Sequence, residues 1–298
     1  MPFEITILSG KGGTGKTSVT AAFAQLAAAD VICDLDVDAS NLPLLMQPEL
    51  RERHTFVSGE VASLDRNRCR DCGRCLSFCK FGAIYEDDGE IHLNPAACEG
   101  CGVCARFCRP GAITMHPRTC GEWYVSDTQA GTMLHARLNP GEENSGRLIS
   151  TLRQDARQRV SDQKNALILS DGPPGIGCPV ISSVTGTQCV ICVTEPTASG
   201  LHDLQRVVGV AGHFKVPVAV ILNKDGLHDD LSREIENFAE QNGLPVLGRI
   251  PYSDAVMPAI VDGATLLDVP EIAVPLRGAW NALCRWQGIE KENEDEKL

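Results

Sequence analysis

The 298-residue chain predicts an α/β fold, a mainly parallel sheet flanked by helices and interrupted by one small α+β insert. Three observations carry that expectation. FEITILSG runs straight into a glycine-rich loop, a helix and a second apolar run, the order of a βαβ unit. ALILSD, CVICVT and VAVILN recur later as short buried-strand runs with helical segments between them. Residues 65–117 break this alternation, being short, cysteine-dense and rich in turn residues.

FEITILSG (3–10) reads as the first strand and TSVTAAFAQLAAA (17–29), apolar at helical spacing, as the first helix. VICDLDVD (31–38) follows as a buried strand ending in Asp34, Asp36 and Asp38. After the insert come strands at 166–171, 189–194 and 218–223, with helices HDLQRVVGVAGHF (202–214) and LSREIENFAEQNG (231–243). The second of these helices stops at Asn242-Gly243, a C-terminal signal. LRGAWNALCRWQGI (276–289) fits a terminal helix packed on the core better than a membrane-surface helix, since acidic residues follow it. The expected boundaries are 1–64 and 118–289 for the α/β domain, 65–117 for the insert and 290–298 for an acidic tail.

The formal net charge of −12 excludes the basic footprint that nucleic acid or an anionic membrane surface requires. No apolar run approaches the ~20 residues of a membrane span, so no integral membrane association is expected. Fourteen cysteines, clustered at metal-ligand spacing, point to the cytoplasm and not to a disulfide framework.

Gly10, Lys11, Gly12, Gly13, Thr14, Gly15, Lys16 and Thr17 fit G-x-x-x-x-G-K-[ST], with Ser18 next in the same backbone run. Glycines let backbone N–H groups converge on phosphate oxygens, the helix N-terminus adds its dipole, and Lys16 neutralises β/γ charge. The Thr17 hydroxyl is placed to ligate Mg2+. Asp171 ends a buried strand in LILSDGPPGIG, suited to the magnesium shell, and Gly175 would let backbone approach the γ-phosphate. Asn223-Lys224-Asp225 follows a strand without the acid spacing of a guanine-specific N-K-x-D, which favours ATP.

The insert contains an internal repeat. CRDCGRCLSFCKFGAI (69–84) aligns with CEGCGVCARFCRPGAI (98–113) at a constant offset of 29. Each half carries C-x₂-C-x₂-C-x₃-C, and in such doubled runs the fourth cysteine ligates the other cluster. Cys69, Cys72, Cys75 and Cys108 are therefore expected to hold one [4Fe–4S] cluster, and Cys98, Cys101, Cys104 and Cys79 a second. Zinc is the competing ligand for C-x-x-C pairs. The proline usual after the fourth cysteine is Lys80 in the first run and comes one residue late, at Pro110, in the second. AIYEDDGEIHLN between the halves reads as a hairpin turning at Asp88-Gly89. Cys33, Cys189 and Cys192 sit in buried-strand patterns as small hydrophobes, whereas Cys178 in GIGCPV is a minority functional candidate.

These motifs together resemble the deviant-Walker-A class of P-loop ATPases, which includes MinD, ParA, Mrp and the nitrogenase iron protein. The whole arrangement resembles the members of that class that carry an inserted bacterial-type ferredoxin domain. The resemblance spans nearly the whole chain, including YVSDTQAGTMLHARLNPGEENSG (124–146), where His135 and Arg137 lie, and TEPTASGLHDLQRV (194–207). It implies that Lys11 acts in trans in an ATP-driven dimer, either with itself or with a paralogue. It also implies that Asp36, or in competition Asp38, orients the attacking water, and that Asn223, Lys224 and Arg249-Ile250-Pro251 contact adenine. The reading placed first is ATP-coupled electron transfer to a redox partner. The alternatives are cluster or metal-cofactor assembly with a partner protein, and a MinD/ParA-type positioning ATPase with structural or sensory clusters.

Overall fold

The computed structural model describes residues 2–142 and 145–289. The acidic tail at 290–298, and Glu143 and Asn144 of the 124–146 stretch, lie outside the described residues. In chain order the elements are β1 (Phe3–Leu8), α1 (Lys16–Ala27), β2 (Val31–Asp34), α2 (Leu42–Met46), β3 (Glu49–Leu64) and α3 (Arg74–Phe78). Next come β4 (Ile84–Asp87), β5 (Glu90–Leu93), α4 (Val103–Phe107), β6 (Ile113–Thr128), β7 (Gly131–Leu138) and α5 (Ser145–Arg159). The chain continues through β8 (Leu167–Asp171), α6 (Cys178–Val184), β9 (Cys189–Thr194), α7 (Ala198–His213) and β10 (Val218–Asp225). It closes with α8 (Asp229–Gln241), β11 (Val246–Pro251), α9 (Val256–Val261) and α10 (Pro270–Gln287).

Two compact units divide the chain. The first comprises Met1–His54, Trp123–Arg137 and Ser145–Leu298; the second comprises Thr55–Glu122 and Leu138–Asn144. The second unit is wider than the 65–117 expected, because β3 and β6 carry the chain into and out of it. β3 (ELRERHTFVSGEVASL) is mostly exposed and heavily charged, so it lacks the apolar run by which the other strands announce themselves.

The sheet order is β11-β10-β9-β1-β8-β2-β7-β6-β3. The pairings of β1 with β8 and β9, of β10 with β9 and β11, and of β2 with β7 and β8 are all parallel. Central strands buried on both faces lack the polar alternation of a half-solvated strand, and β9 (CVICVT) is buried throughout. Its residues alternate between two cores. Cys189, Ile191 and Val193 pack with Phe23, Leu276 and Trp280, while Val190 and Cys192 pack with Leu8, Leu204 and Val207. Phe23 meets Trp280 edge to face at 5.2 Å. α10 thus contributes its apolar stripe to the core, as its sequence suggests. At the amino end of β1, buried Glu4 pairs with Arg153 (2.5 Å) and Arg157 (2.5 Å) of α5, matching a buried charge with two cations.

β1 lies between β9 and β8, where the strand order reverses direction. Loops leaving the carboxyl ends of strands at such a point form a crevice for ligands. The glycine-rich loop leaves β1 there.

In the second unit the repeat is visible in the backbone. Gly73 (φ 68°) and Gly102 (φ 72°) cap α3 and α4, which are again 29 residues apart. β4 and β5 pair antiparallel, with Asp88 (φ 48°) and Gly89 (φ 79°) at the turn. Among the described residues no helix is long and apolar enough to cross a membrane.

Candidate functional site

Two glycines of the β1–α1 loop are required by close approach. A Cβ on Gly10 would fall 2.0 Å from the Asp203 Cβ, and one on Gly15 (φ +88°) would fall 2.3 Å from the Asn223 amide nitrogen. Gly15→Ala is therefore expected to lower stability by ~1–3 kcal/mol, from left-handed strain alone, readable as a shifted denaturant midpoint. Gly12 and Gly13 have open space where a Cβ would stand, leaving the loop's backbone accessible. The Thr14 hydroxyl is buried without a hydrogen-bond partner among the described residues. A loop with an uncovered backbone and an orphaned hydroxyl suits a phosphate chain, which supplies acceptors for both.

Lys16 starts α1 and is nearly fully buried. Its Nζ lies 2.9 Å from Asp171 Oδ1 and 3.8 Å from Asp36 Oδ2. Thr17 Oγ1 donates to Asp171 Oδ2 (2.8 Å), and Thr20 Oγ1 donates to Asp171 Oδ1 (2.8 Å). The lysine, hydroxyl and carboxylate singled out in the sequence thus converge on one point at the carboxyl end of β1 and β8. Gly175 has a φ of 89°, and its N–H donates to the Ser9 carbonyl (3.2 Å).

Of the three acids after β2, Asp34 has a role the sequence did not assign. Its carboxylate accepts from the Asp36 N–H (3.1 Å), Ser40 Oγ (2.7 Å) and the Leu42 N–H (3.3 Å), so it folds the following loop round itself. Burial, reinforced by Asp171, pushes its carboxyl up to about 7. A carboxyl whose folded value lies above its ordinary one holds its proton longer in the folded state. Stability contributed by Asp34 is therefore full in acid and is lost as pH rises from about 4 to about 7. Asp34→Asn is expected to flatten the pH dependence of nucleotide-free thermal melts across that window; an unchanged slope would count against the assignment.

Asp36 is half-buried, and burial raises its carboxyl while Lys16 opposes the rise. It faces the cleft beside the loop, which Gly12, Gly13, Gly15, Lys16, Thr17, Ser18, Asn223, Lys224 and Pro251 also line. Gly10, Lys11, Thr14, Asp38, Asp171 and Gly175 do not line it. Asp38 is exposed. Asn223 Nδ2 donates to the Thr14 carbonyl (2.7 Å) and Lys224 Nζ to the Gly13 carbonyl (2.7 Å), bracing the loop from the β10 side. Asp225 is committed elsewhere, to Arg249 Nε (2.7 Å) and Nη2 (3.0 Å) and to Ser232 Oγ (2.9 Å).

Glu195 was missed by sequence reasoning. It follows β9, and Lys11 Nζ lies 2.6 Å from its Oε1, while Lys224 Nζ lies 2.8 Å from its Oε2. Lys11 also donates to Ser199 Oγ (2.9 Å) and Thr197 Oγ1 (3.3 Å), so all three of its donors are used within the chain. Burial works against the charge on Glu195, but the hydrogen bonds from the two lysines prevail and hold its carboxyl below its ordinary value. The available signal was an acid one residue beyond a buried strand, on the crevice side of the sheet.

In the second unit the eight run cysteines line two clefts. Cys79, Cys98, Cys101 and Cys104 share one; Cys69, Cys72, Cys75 and Cys108 share the other. Each cleft takes three cysteines from one run and the fourth from its repeat. The Ala62 N–H donates to Cys98 Sγ (3.4 Å) and the Ala112 N–H to Cys108 Sγ (3.2 Å). Burial disfavours the Cys79 thiolate, yet N–H groups from Phe81 to Ile84 outweigh it and bring the thiol below its ordinary value. Among the described residues no three His, Cys, Asp or Glu side chains gather as they would round a single metal ion. Four sulfurs and a backbone N–H donor in each cleft are the donor set that a four-iron cluster takes.

The remaining cysteines are dispersed. Cys33, Cys189 and Cys192 are fully buried; burial pushes the thiols of Cys189 and Cys192 up to about 12, and that of Cys33 higher still. Cys120 and Cys284 are buried, and Cys178 is exposed at the start of α6. His135 stacks on Tyr124 and meets Ser126 Oγ at 3.0 Å, with burial lowering its basicity, while Arg137 is exposed.

Residues 5–266 match the CobQ/CobB/MinD/ParA nucleotide binding domain. An uncharacterised Methanocaldococcus jannaschii protein, MJ0578, is 35% identical over 230 residues, covering 76% of this chain and 79% of its own. A septum site-determining protein MinD of Chlorella vulgaris is 23% identical over 274 residues, covering 88% of this chain and 77% of its own. Among solved structures, Pyrococcus horikoshii MinD complexed with Mg-ADP superposes with a TM-score of 0.59 at 19% identity, over 98% of this chain and 100% of that one.

Proposed function

Because this chain belongs to the CobQ/CobB/MinD/ParA family of nucleotide-binding proteins and is a P-loop ATPase, we propose that it works as a MinD/ParA-type nucleotide switch. It dimerises over ATP and Mg2+, and its second unit holds two [4Fe–4S] clusters. The observation that carries the switch is the convergence of Lys16, Thr17 and Asp171 at the end of β1, with Asp36 facing the same cleft. Lys16 neutralises the β/γ-phosphates, Thr17 and Asp171 hold the magnesium shell, and Asp36 orients water. A carboxylate raised by burial is the better proton acceptor, which favours Asp36 over exposed Asp38. Asn223, Lys224 and Pro251 bound the space for the base. A reducing cytoplasm suits a chain with fourteen cysteines, eight of them in the two runs.

The named relatives are septum site-determining proteins, which puts switching ahead of ATP-coupled electron transfer and reverses the order expected from the sequence. Electron transfer to a redox partner is kept as the second reading, and one observation favours it: two four-cysteine clefts in a single small unit. When bound, the clusters would supply one-electron chemistry there. The chain's cysteines and amide donors would set its potential.

Sedimentation and ATP turnover of the anaerobically reconstituted protein test the switch. ATP should produce a dimer that ADP does not. Lys11→Ala should bind ATP with unchanged Kd and hydrolyse at least ~10-fold more slowly, the loss of about one charged contact. Unimpaired hydrolysis by that variant refutes the dimer. Cluster reduction that speeds up only with ATP would promote the electron-transfer reading.

A further inference from the structure

The two cysteine clefts are matched in position but opposed in charge. The repeat places Arg70 opposite Glu99 and Arg74 opposite Val103, each pair 29 residues apart. Arg70 and Arg74 line the Cys69/Cys72/Cys75/Cys108 cleft, and Glu99 lines the other. Neither arginine forms an ion pair among the described residues.

Other charges near the clefts are engaged with one another. Asp71 beside Cys69 is matched by Arg66 (2.8 Å), which also meets Glu90 (3.0 Å). Arg118 donates to the Cys98 carbonyl (2.6 Å), but Glu142 neutralises it at 2.8 Å. Lys80 and Arg109 occupy equivalent positions after the fourth cysteines. Backbone N–H donors reach sulfur in both clefts, through Cys98 in one and Cys108 in the other. Arg68, which donates to the Pro110 carbonyl of the Cys69/Cys72/Cys75/Cys108 cleft (3.2 Å), adds a further cation on that side, so the Cys69 side keeps a cationic excess and the other keeps Glu99.

Resting on the reading that both clefts hold [4Fe–4S] clusters, we infer that the two sites have different reduction potentials, with Arg70 and Arg74 making the Cys69/Cys72/Cys75/Cys108 site the higher. Each reduction adds one electron, delivered by an external one-electron reductant that is itself oxidised. No proton or bond change is needed. A fixed positive charge favours the more negative, reduced state, and an acid disfavours it. Arginine keeps its charge at every working pH. The first electron therefore comes to rest beside Arg70 and Arg74, and Glu99 makes the second harder to add.

A redox titration of the full reconstituted chain followed by electron paramagnetic resonance, after iron and sulfide analysis, tests this. Wild-type protein should show two separated one-electron steps. The double variant R70Q/R74Q should lower the upper step and leave the lower one in place, while E99Q should raise the lower step. About eight irons per chain with a single merged step, or with R70Q/R74Q acting on the lower step, overturns the inference and spares the cluster reading. Far fewer irons overturns the cluster reading, and the inference with it.

Discussion

Lys16→Met is expected to abolish nucleotide binding while the chain still folds. Among the described residues Lys16 is the one cation paired with Asp171 and Asp36, at 2.9 and 3.8 Å, and it lies near Asp34. Removing it forfeits a charge-assisted contact to phosphate, ~1.5–3 kcal/mol on its own. It also leaves carboxylates facing an incoming polyanion, so the combined loss should exceed ~100-fold in Kd. Calorimetric titration with ATP and Mg2+ reads this directly. Folding survives because buried carboxyls that lose their cation can take up protons instead. The variant's nucleotide-free melting temperature should accordingly rise more steeply than wild type as pH is lowered from 8 toward about 5. Tight ATP binding by the variant would remove the loop from the site altogether.

The second large effect concerns the fourth cysteines. Cys79→Ser and Cys108→Ser should each halve the iron content of the reconstituted chain, from about eight to about four. The informative variants are doubles. If clefts are shared as the structure places them, Cys79→Ser with Cys98→Ser damages one cleft twice and keeps half the iron. Cys79→Ser with Cys69→Ser damages both clefts and loses nearly all of it. Self-contained runs would give the reverse outcome, so iron analysis of two proteins decides between the arrangements.

How much of this was legible depended on burial. β1, β2, β8, β9 and β10 announced themselves as mainly apolar runs, because a strand covered on both faces has few polar positions and must pair those it has, as it does Glu4. Half of β3 is exposed and β6 mixes exposed, half-buried and buried positions, so ELRERHTFVSGEVASL and ITMHPRTCGEWYVSDT carry no such run. The cysteine-rich unit therefore looked ten residues shorter at its start than Thr55, where it begins. In the site, Lys16 and Thr17 were readable because their spacing is dictated by one phosphate-binding turn, and Asp171 because it ends a buried strand just before a glycine- and proline-rich turn. Glu195 belongs to no local pattern; its partners Lys11 and Lys224 are brought to it only by the order of strands β10-β9-β1. Asp34 was visible as an acid but not as the one that gathers three donors, since those donors follow it round a loop.

The docking of Lys11 bears on how long a dimer lasts. In the proposed dimer this lysine must leave Glu195, Ser199 and Thr197 before it can serve the neighbouring subunit. Breaking those contacts offsets part of what it gains there, so its net contribution to association is a difference and not the full worth of its new contacts. Glu195 is not stranded by the exchange, because Lys224 still answers its charge. Most of the association energy must then come from the γ-phosphate itself. Once that group is hydrolysed and gone, each lysine has its old berth waiting, and the pair separates without help.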